Sequence, residues 1–360
     1  MVESSAKPKK LLVAASGTGG HLFPAIATVE QLDYDIEWLG VPNRLETRLV
    51  PEQYPLHLVD LEGIQTTLGL GGVRLFIKLL GSVRQVRQLL RQGKFDGVFT
   101  TGGYIAAPAI IAARSLGLPA ILHESNALPG KVTRWLSPWC STVALGFSAA
   151  AAHLPKATSI CVGTPVRQAF QQSGAAQLED LGVPAGAPLI AVVGGSQGAV
   201  AVNKLVRQCL KAWLSEGAWV VHLTGESDPD ADAVAYPNYI HRPFYNNMAA
   251  LFQRADLAIS RAGAGTLVEL AITRTPAILI PYPYAAEDHQ TFNAAVFAAA
   301  GAAQVHQQSD LDAQTLEQKV LTLLQCPERL AEMAIAAESL AVTDSAKRLG
   351  QLIDEQLSNR

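Results

Sequence analysis

An apolar run typical of a buried strand, a glycine-rich turn and a helical pattern follow one another twice in this chain, once in each half. In the first half Leu11–Ala15 precedes SGTGGH at 16–21, and in the second half Leu189–Val193 precedes GGSQG at 194–198. A strand, such a turn and a helix open the nucleotide-binding type of parallel α/β domain. Because ligands of these sheets lie at the carboxyl ends of the strands, the repeat predicts two Rossmann-like domains, each with a ligand-facing glycine turn.

Short apolar runs alternate with helix-length segments along the rest of the chain, as expected for βαβ units. The predicted fold class is therefore α/β, with two Rossmann-like parallel-sheet domains that face each other across a cleft. A stretch rich in glycine and proline, 163–188, predicts the join, so we place the domains at 1–163 and 164–343 and expect a helix at 344–357 to pack back on the first. The predicted strands are Leu11–Ala15, Ile36–Leu39, Leu56–Val59, Gly97–Thr100, Ala120–His123 and Thr142–Leu145, then Leu189–Val193, Trp219–Leu223, Leu257–Ser260 and Ala277–Ile280.

The composition fits two folded domains and disfavours several classes of partner. Of the 360 residues, 49% are hydrophobic and 16% are charged, which is enough apolar material for two cores. The formal net charge of −3 provides no global basic field for nucleic acid. The four cysteines are scattered, without C-x-x-C or zinc spacing, and are typical of buried thiols in a reducing cytosol.

The N-terminus and the apolar runs indicate neither export nor a membrane span. The first ten residues are polar, and their basic end leads directly into the first strand pattern without the apolar region of a signal peptide. No apolar run approaches the ~20 residues that cross a bilayer. The sequence therefore predicts at most a peripheral contact with a membrane.

Four glycine-rich turns follow predicted strands, at 17–20, 102–103, 194–198 and 263–265. A glycine turn at a helix N-terminus presents backbone N–H groups and the positive end of the helix dipole, which together bind phosphate. One such turn is often only a tight connection, whereas four at corresponding strand ends favour a phosphate-rich ligand.

The glycine turns do not match the motif that binds a dinucleotide or the P-loop motif that binds a nucleoside triphosphate. Leu22 stands where the dinucleotide motif needs glycine or alanine, and the second strand ends at Gly40 without the acid that binds ribose. None of the glycine turns is followed by G-K-[ST]. A dinucleotide-dependent oxidoreductase is therefore disfavoured.

His21 follows the first glycine turn directly, at the mouth of the predicted cleft. An imidazole titrates near neutral pH and accepts a proton from a hydroxyl nucleophile, which makes His21 a candidate general base. A histidine that caps or packs beside the turn is the other interpretation of the same position.

A series of short motifs in fixed order covers most of the chain. They are GTGGHLFPA at 17–25, TGGY at 101–104, HESNALPG at 123–130, GTPVR at 163–167, GGSQGA at 194–199, FYNNM at 244–248, RAGAGT at 261–266 with Glu269, and DHQTFNA at 288–294. Together they resemble the MurG family of glycosyltransferases. This family moves N-acetylglucosamine (GlcNAc) from UDP-GlcNAc to lipid I and forms lipid II in peptidoglycan synthesis.

The resemblance implies a GT-B fold and an inverting transfer to the C4 hydroxyl of N-acetylmuramic acid (MurNAc), with no cofactor and no required metal. The donor would be UDP-GlcNAc, and the acceptor would be lipid I, a polyprenyl-diphosphate-linked MurNAc-peptide. The enzyme would be peripheral on the cytoplasmic face of the plasma (inner) membrane, in contact with anionic lipid. Cell-wall synthesis proteins are candidate partners, and nucleic acid is not.

The same resemblance implies roles for individual residues. His21 would be the general base, and Ser196 and Gln197 would meet the diphosphate of UDP. The other implied assignments are Thr18, Gly19 and Gly20 to the acceptor's diphosphate and the transferring sugar, Glu269 to the ribose, Tyr245 to the uracil, Arg167 to the donor site, Asn126, Gln290 and Asn293 to the GlcNAc hydroxyls, and Tyr104, Gly265 and Thr266 to substrate binding in general.

Several of these residues also have ordinary structural interpretations. Ser196 and Gln197 can cap the helix that follows them. Glu269 can be a first-turn acid that complements the dipole of a helix starting near Thr266. Asn126 and Asn293 can be turn or capping residues.

Two positions depart from the family's usual pattern, and one acidic motif needs an interpretation. Thr164 stands where asparagine commonly precedes Pro-Val-Arg, so a polar role there is in doubt. Arg261 precedes an Ala-Gly pair where serine is more usual two residues before the glycine, so the geometry of that loop is in doubt. Asp-x-Asp occurs at 228–232, and we interpret it as a solvated turn rather than a metal site.

The segment 63–95 has no acidic residue and interleaves basic with apolar side chains. A cationic amphipathic helix of this kind can lie on an anionic bilayer surface. The commoner interpretation is a helix that packs on its sheet with a basic outer face. Both interpretations hold if residues 84–90 pack against the sheet and residues 70–80 are exposed at the tip of the helix.

Two further functions stay open at this stage. A UDP-sugar transferase that acts on diacylglycerol or another lipid would share the motifs of the second half. A UDP-sugar-binding module without activity would share the fold but would not need His21. The complete set of first-half motifs, 123–130 above all, favours lipid I.

Overall fold

The computed structural model describes residues 8–61, 70–172, 178–195 and 198–358, with residues 70–75 and 179 described by their backbone alone. The chain divides into two compact units. Unit 1 comprises Met1–Arg167 and Asp344–Arg360, and unit 2 comprises Gln168–Thr343. The sequence placed the join slightly earlier, after Gly163.

Each unit is built on a parallel sheet, which confirms the predicted α/β class with two parallel-sheet domains. The strands of unit 1 are β1 (Lys10–Ala14), β2 (Asp35–Gly40), β3 (Leu56–Leu58), β4 (Gly97–Thr100), β5 (Ala120–Glu124), β6 (Thr142–Leu145) and β7 (Ser159–Cys161). Those of unit 2 are β8 (Leu189–Val193), β9 (Trp219–Leu223), β10 (Tyr239–Arg242), β11 (Leu257–Ser260), β12 (Ala277–Leu279) and β13 (Ala303–Val305).

The strand order of each sheet brings two glycine turns together. In unit 1 the strand order is β3-β2-β1-β4-β5-β6-β7. Strands β2 and β3 are added on one side of β1 and strands β4 to β7 on the other, so the switch in strand order lies between β1 and β4. Unit 2 has the order β10-β9-β8-β11-β12-β13, with the switch between β8 and β11. Loops that follow the two strands at such a switch point diverge and leave a crevice for ligand. The turns after β1 and β4, and those after β8 and β11, therefore lie side by side in their own units.

The α-helices that the structure describes alternate with the strands. In chain order they are α1 (Gly19–Val29), α2 (Glu46–Leu49), α3 (Leu70–Gly93), α4 (Ala106–Ser115), α5 (Lys131–Leu136), α6 (Val200–Ser215), α7 (Met248–Arg254), α8 (Ala264–Ile272), α9 (His289–Ala300), α10 (Ala313–Leu324), α11 (Pro327–Ser339) and α12 (Ser345–Ser358). Short 3-10 turns lie at Ser137–Trp139, Ser148–His153, Gln168–Phe170, Glu179–Leu181, Ala286–Asp288 and Gln308–Asp310.

Helices cover both faces of the unit 1 sheet, which is why its central strands β1, β4, β5 and β6 are buried at nearly every position. Alternate residues of a strand point to opposite faces. Leu12 faces the layer that contains Val86 of α3, whereas Leu11 faces α1 and α12. Leu349 and Ile353 of α12 are fully buried in that second layer, so the C-terminal helix is part of the unit 1 core.

Three strands escaped prediction from the sequence, and all three are sheet edges. They are β7 in unit 1 and β10 and β13 in unit 2. An edge strand is less enclosed than a central one, so it does not need a continuous apolar run. Ser159–Cys161 and Tyr239–Arg242 are accordingly mixed in polarity and only partly buried.

Candidate active site

The turn after β1 leads into α1 and carries His21. Gly17 has a φ of +100°, which favours glycine, and Thr18 is the N-cap residue without a side-chain cap. The amides of His21 and Leu22 both donate to the carbonyl oxygen of Thr18 at 3.1 Å. Within the described part of the chain, no acceptor is bonded to the amides of Gly19 or Gly20. These are the unpaired donors expected in a first helical turn.

The imidazole of His21 is half-buried, and a carbonyl group fixes its orientation. Its Nδ1 atom lies 2.7 Å from the carbonyl oxygen of Thr101, in the turn after β4. A carbonyl can only accept, so Nδ1 carries the proton and Nε2 is left as the acceptor nitrogen. The proposed base therefore has the tautomer that a proton acceptor needs, and neighbouring strands β1 and β4 supply the two groups.

The turn after β4 can lie beside the imidazole of His21 because residues 102 and 103 are both glycines. Their φ angles are +92° and +72°. A Cβ atom added at Gly103 would lie 3.6 Å from Nε2 of His21. Tyr104 follows immediately and is about half exposed, so its side chain is available at the same edge of the sheet.

The turn after β5 is organised by Glu124, a residue to which the sequence assigned no role. Its Oε1 atom accepts the backbone and side-chain N–H groups of Asn126, both at 3.0 Å. Its Oε2 atom accepts the hydroxyl of Thr133 at 2.7 Å and the amide of Gly130 at 3.2 Å. The half-buried Asn126 is therefore held rigidly through its amide nitrogen. Its predicted contact with GlcNAc stays a prediction.

Behind this turn His123 is fully buried and serves as a structural histidine. Its Nε2 lies 3.0 Å from the carbonyl oxygen of Gly163, and burial lowers the pKa of its imidazole. Thr164 is also buried, and a Cβ atom at Gly146 would lie only 2.3 Å from its hydroxyl oxygen. The threonine at this departure from the family pattern is therefore packed inside unit 1.

Arg167 belongs to unit 1 and stacks on α1. Its guanidinium carbon lies 4.4 Å from the centroid of the Phe23 ring, within the range of a cation–π contact. The same ring lies against Gly19, where an added Cβ would meet Phe23 at 2.8 Å. The guanidinium thus lies near the first turn of α1, while its predicted role toward the donor stays a prediction.

In unit 2 the turn after β8 is shaped by Gly198. This glycine has a φ of +75°, and a Cβ atom there would lie 2.3 Å from the carbonyl oxygen of Thr224. Only glycine fits between β8 and the end of β9, and α6 begins two residues later at Val200. Ser196 and Gln197, predicted to meet the diphosphate, lie outside the described residues.

The turn after β11 is held by side chains of α9. Gln290 accepts the amide of Ala262 at 3.1 Å and the amide of Tyr282 at 2.9 Å through its single side-chain oxygen. Asn293 donates to the carbonyl oxygen of Ala262 at 3.2 Å and is 0% exposed. The predicted contact of Gln290 with the GlcNAc hydroxyls stays a prediction. Asn293 thus supports this loop, and its predicted contact with GlcNAc stays a prediction.

Helix α8 begins at Ala264, after the N-cap Gly263, rather than near Thr266. The half-buried Glu269 therefore lies in the second turn, and its interpretation as a first-turn acid is wrong. Gly265 and Thr266 occupy the first turn instead, where backbone N–H groups are unpaired. The assignment of Glu269 to the ribose stays a prediction.

Arg261, the second departure from the family pattern, is a buried brace. Its Nη1 donates to the carbonyl oxygens of Ile280 at 3.0 Å and Pro281 at 3.2 Å, and its Nη2 donates to Gln308 at 2.7 Å. Burial lowers the pKa of its guanidinium. The side chain ties the end of β11 to the segment after β12.

Tyr245 lies beside the exposed Phe244 in the loop before α7. Its hydroxyl donates to Oδ1 of Asp180 at 3.0 Å. Burial and this carboxylate raise the pKa of Tyr245 to about 12, so the hydroxyl keeps its proton. Its predicted position near the uracil stays a prediction.

The interpretation of Asp228 as part of a solvated turn is wrong. Its side chain is buried and forms two bonds with Arg207, at 2.8 and 3.2 Å. Asn203 also donates to it at 2.6 Å and to the carbonyl oxygen of Thr224 at 2.8 Å. The carboxylate is thus part of the support for the end of β9. The described residues contain no group of three or more His, Cys, Asp or Glu side chains suited to a metal.

Helix α3 combines a buried and an exposed apolar face. Val86 and Leu90 are buried against the sheet, as predicted for the inward stretch. Phe76, Ile77 and Leu80 are 58%, 62% and 52% exposed, as predicted for the stretch before it. Residues 63–69 of this segment lie outside the described part. Among the helices that the structure describes, none has both the length and the hydrophobicity of a membrane span.

Two parallel-sheet units, each with glycine turns at its switch point, fit the GT-B class of glycosyltransferases, and the comparisons with known proteins assign the chain to that class. Residues 11–145 match the model of the glycosyltransferase family 28 N-terminal domain, and residues 189–349 match that of the C-terminal domain. The chain belongs to glycosyltransferase family 28, and within it to the MurG family. The resemblance noted in the motifs is therefore confirmed.

Curated relatives and solved structures match over nearly the whole chain. The UDP-N-acetylglucosamine–N-acetylmuramyl-(pentapeptide) pyrophosphoryl-undecaprenol N-acetylglucosamine transferase of Nostoc punctiforme is 64% identical over 97% of this chain and 98% of its own length. The enzyme of the same name from Trichodesmium erythraeum is 58% identical over 98% and 94%. The crystal structure of Acinetobacter baumannii MurG aligns with a TM-score of 0.79 at 32% identity, covering 97% of this chain and all of that one.

Proposed function

We propose that this chain transfers GlcNAc from UDP-GlcNAc to the C4 hydroxyl of MurNAc in lipid I, forming lipid II. The observation that carries the proposal is the 64% identity, over nearly the whole of both chains, to a relative named for this transfer. The site geometry is consistent with it, because an oriented histidine and glycine turns that lead into helices occur at the switch points. Neither the structure nor the comparisons favour diacylglycerol as acceptor.

In the proposed reaction, the acceptor hydroxyl attacks the anomeric carbon from the face opposite UDP, which inverts the configuration. The transition state has oxocarbenium character. His21 Nε2 takes the hydroxyl proton, and the carbonyl of Thr101 stabilises the imidazolium through Nδ1–H. A positioned base of this kind contributes about 10²–10⁴-fold to the rate.

We assign the donor to unit 2 and the acceptor's diphosphate to the first turn of unit 1. The N-termini of α6 and α8 would stabilise the negative charge that grows on the departing UDP without reorganising. We expect no metal to be required for this step. Asp228, the first of the three acids in the Asp-x-Asp sequence at 228–232, is already engaged by Arg207 and Asn203.

We place the enzyme peripherally on the cytoplasmic face of the inner membrane. Support comes from α3, whose exposed Phe76, Ile77 and Leu80 lie on a helix with basic side chains and no acidic one. A helix of this character binds anionic lipid surfaces. A polyprenyl-linked acceptor would be presented at such a surface. Cell-wall synthesis proteins remain candidate partners.

The test is an acceptor comparison at matched concentrations. Purified protein and UDP-GlcNAc are incubated with a lipid I analogue or with diacylglycerol, with and without EDTA, and the products are identified by mass. We expect a product heavier by one N-acetylhexosamine from lipid I alone, in equal yield with the chelator. Transfer to diacylglycerol only would reject the proposed acceptor, and loss of activity with EDTA would reject the metal-independent step.

A further inference from the structure

Glu46 is a fully buried carboxylate that takes no part in the reaction proposed above. It opens α2, the short helix after β2, and its exposed fraction is 0%. A buried carboxylate is costly unless hydrogen-bond donors surround it. Its partners therefore indicate what the residue is for.

Those partners belong to the turn that precedes His21. The hydroxyl of Ser16 donates to Oε1 of Glu46 at 2.5 Å, and the amide of Gly17 donates to Oε2 at 3.1 Å. Oε1 also accepts the amide of Val41 at 2.7 Å. Both oxygens are thus occupied by the protein, and the carboxylate joins the loop after β2 to the loop after β1.

The sequence around Glu46 is shaped to admit it. A Cβ atom at Gly40 would lie 2.7 Å from Cγ of Glu46, so only glycine at the end of β2 leaves room for this side chain. Trp38, in the same strand, donates its indole N–H to the carbonyl oxygen of Ala15 at 2.9 Å. Trp38 of β2 and Glu46 of α2 therefore together hold the start of the glycine turn at three successive residues, 15, 16 and 17.

We propose that Glu46 is a positioning residue for acceptor recognition, acting through the Ser16–Gly17 backbone. By fixing this backbone it keeps the unpaired amides of Gly19 and Gly20 and the imidazole of His21 at one edge of unit 1. The inference rests on the proposed role of that turn toward the acceptor's diphosphate.

The competing role for an acid after the second strand of a Rossmann-like unit is to bind a ribose. A ribose-binding acid must offer a carboxylate oxygen to the ligand. Glu46 is closed off from solvent, and both oxygens already accept bonds from Ser16, Gly17 and Val41. The carboxylate of Glu46 therefore has no oxygen to offer to a ribose. This is consistent with nucleotide binding by unit 2 alone.

The test compares Glu46→Gln with Glu37→Gln in the full chain. Glu37 is a half-buried acid of β2 that binds Lys10 and His57 and makes no contact with the turn. In E46Q an NH₂ group faces the amide N–H of Gly17. Two donors then face each other, and the charge-assisted hydrogen bond between Gly17 and the carboxylate is lost. We expect kcat/KM for a lipid I analogue to fall about tenfold, with the KM for UDP-GlcNAc and the affinity for UDP unchanged. E37Q should lower the melting temperature without this selective loss.

A double-mutant cycle and hydrogen exchange separate positioning from general destabilisation. Ser16→Ala should weaken acceptor use in the wild type and add little in E46Q, because both changes break one contact. Amide exchange in a peptide covering residues 11–22 should quicken in both single variants and not in E37Q. This readout stands even if the wild type fails to glycosylate lipid I, a failure that would reject the proposed acceptor alone.

Three results would overturn the inference. The first is native acceptor kinetics and native exchange in E46Q. The second is an equal loss of acceptor use in E37Q. The third is a loss of UDP affinity in E46Q, which would make Glu46 a ribose-binding acid. Should E46Q fail to fold, the exchange and kinetics of S16A decide the question by the same criteria.

Discussion

The Nδ1 atom of His21 lies 2.7 Å from the carbonyl oxygen of Thr101, and this contact joins the turns that follow β1 and β4. The two strands pair in parallel, from Leu11 with Gly97 to Ala14 with Thr100, so their carboxyl ends lie together. The chemistry of His21 therefore depends on a partner about eighty residues away in the chain. The turn that supplies this partner is as important as the turn that carries the base.

Replacing Gly103 with alanine should impair catalysis through His21. The added methyl group would lie 3.6 Å from Nε2, the atom that must receive the acceptor proton, at a residue whose φ is +72°. We expect kcat/KM to fall about tenfold or more, since small misplacements at a reacting centre have large effects on rate. Steady-state kinetics with a lipid I analogue measure the change.

Gly117→Ala is the matched control for this variant. Gly117 has a φ of +69° in the same unit, but a Cβ atom there would meet nothing within 4 Å. Both variants carry a backbone cost of about 1–2 kcal/mol, so both should lower the melting temperature alike. Equal activity in the two variants would show that the space beside the imidazole does not matter.

Polar substitution of the exposed face of α3 should weaken membrane binding. In the triple variant F76S/I77S/L80S three large apolar side chains, each more than half exposed, are lost. We expect partitioning onto anionic vesicles to fall at least about tenfold, since each buried side chain contributes about 1.5–3 kcal/mol. Co-sedimentation with phosphatidylglycerol vesicles measures this. Ile335→Ser, at an equally exposed residue of α11 in unit 2, is the control. Unchanged sedimentation of the triple variant would exclude this face.

Asp228→Asn should destabilise unit 2, because it leaves the buried Arg207 guanidinium with only the half-exposed Asp230, at 4.0 Å, as an anion. Removing one partner of a buried pair typically costs about 3 kcal/mol or more in the free energy of unfolding. Chemical denaturation measures the loss. Glu332→Gln, which breaks an exposed pair with Arg329 on α11, should change stability little. Similar losses in both variants would contradict the structural role of the Asp228 pair.

The same pair predicts a pH dependence of stability. Burial raises the pKa of Asp228, but hydrogen bonds from Arg207 and Asn203 outweigh it and hold the pKa below the usual value. A carboxylate whose pKa is lower in the folded than in the unfolded state stabilises the protein at pH values above its unfolded-state pKa, about 3.9. This stabilisation is lost as the pH falls toward the folded-state pKa. Between about pH 5 and 3 the wild type should therefore lose more stability than D228N. Parallel curves would contradict this.

The sequence predicted the central strands well because their burial leaves a pattern in the chain. Leu189–Val193 and Leu257–Ser260 are covered on both faces, so each is a short apolar run with the predicted bounds. The edge strand Ser159–Cys161 is mixed in polarity and partly exposed, and its place in the sheet comes from pairing with β6. A single sequence carries no pattern for such pairing.

The site was predictable at its glycine turns and less so at the side chains that support them. Gly103 and Gly198 have positive φ angles and close neighbours, and the sequence marks both. Glu46 lies in a four-residue helix outside any motif, and its role depends on a contact thirty residues back in the chain. Asn293 lies within a motif, yet only the fold shows that it is fully buried. Motif membership alone does not predict how deeply a residue is buried.

The most direct test of the central claim is the rate of GlcNAc transfer to a lipid I analogue by the His21→Ala variant at saturating UDP-GlcNAc. Loss of the base should lower kcat by about 10²–10⁴-fold, while UDP affinity stays native because the donor is assigned to unit 2. His57→Ala, at a half-buried histidine of β3 bonded to Glu37, should keep wild-type turnover. Wild-type turnover by the His21 variant would contradict the account.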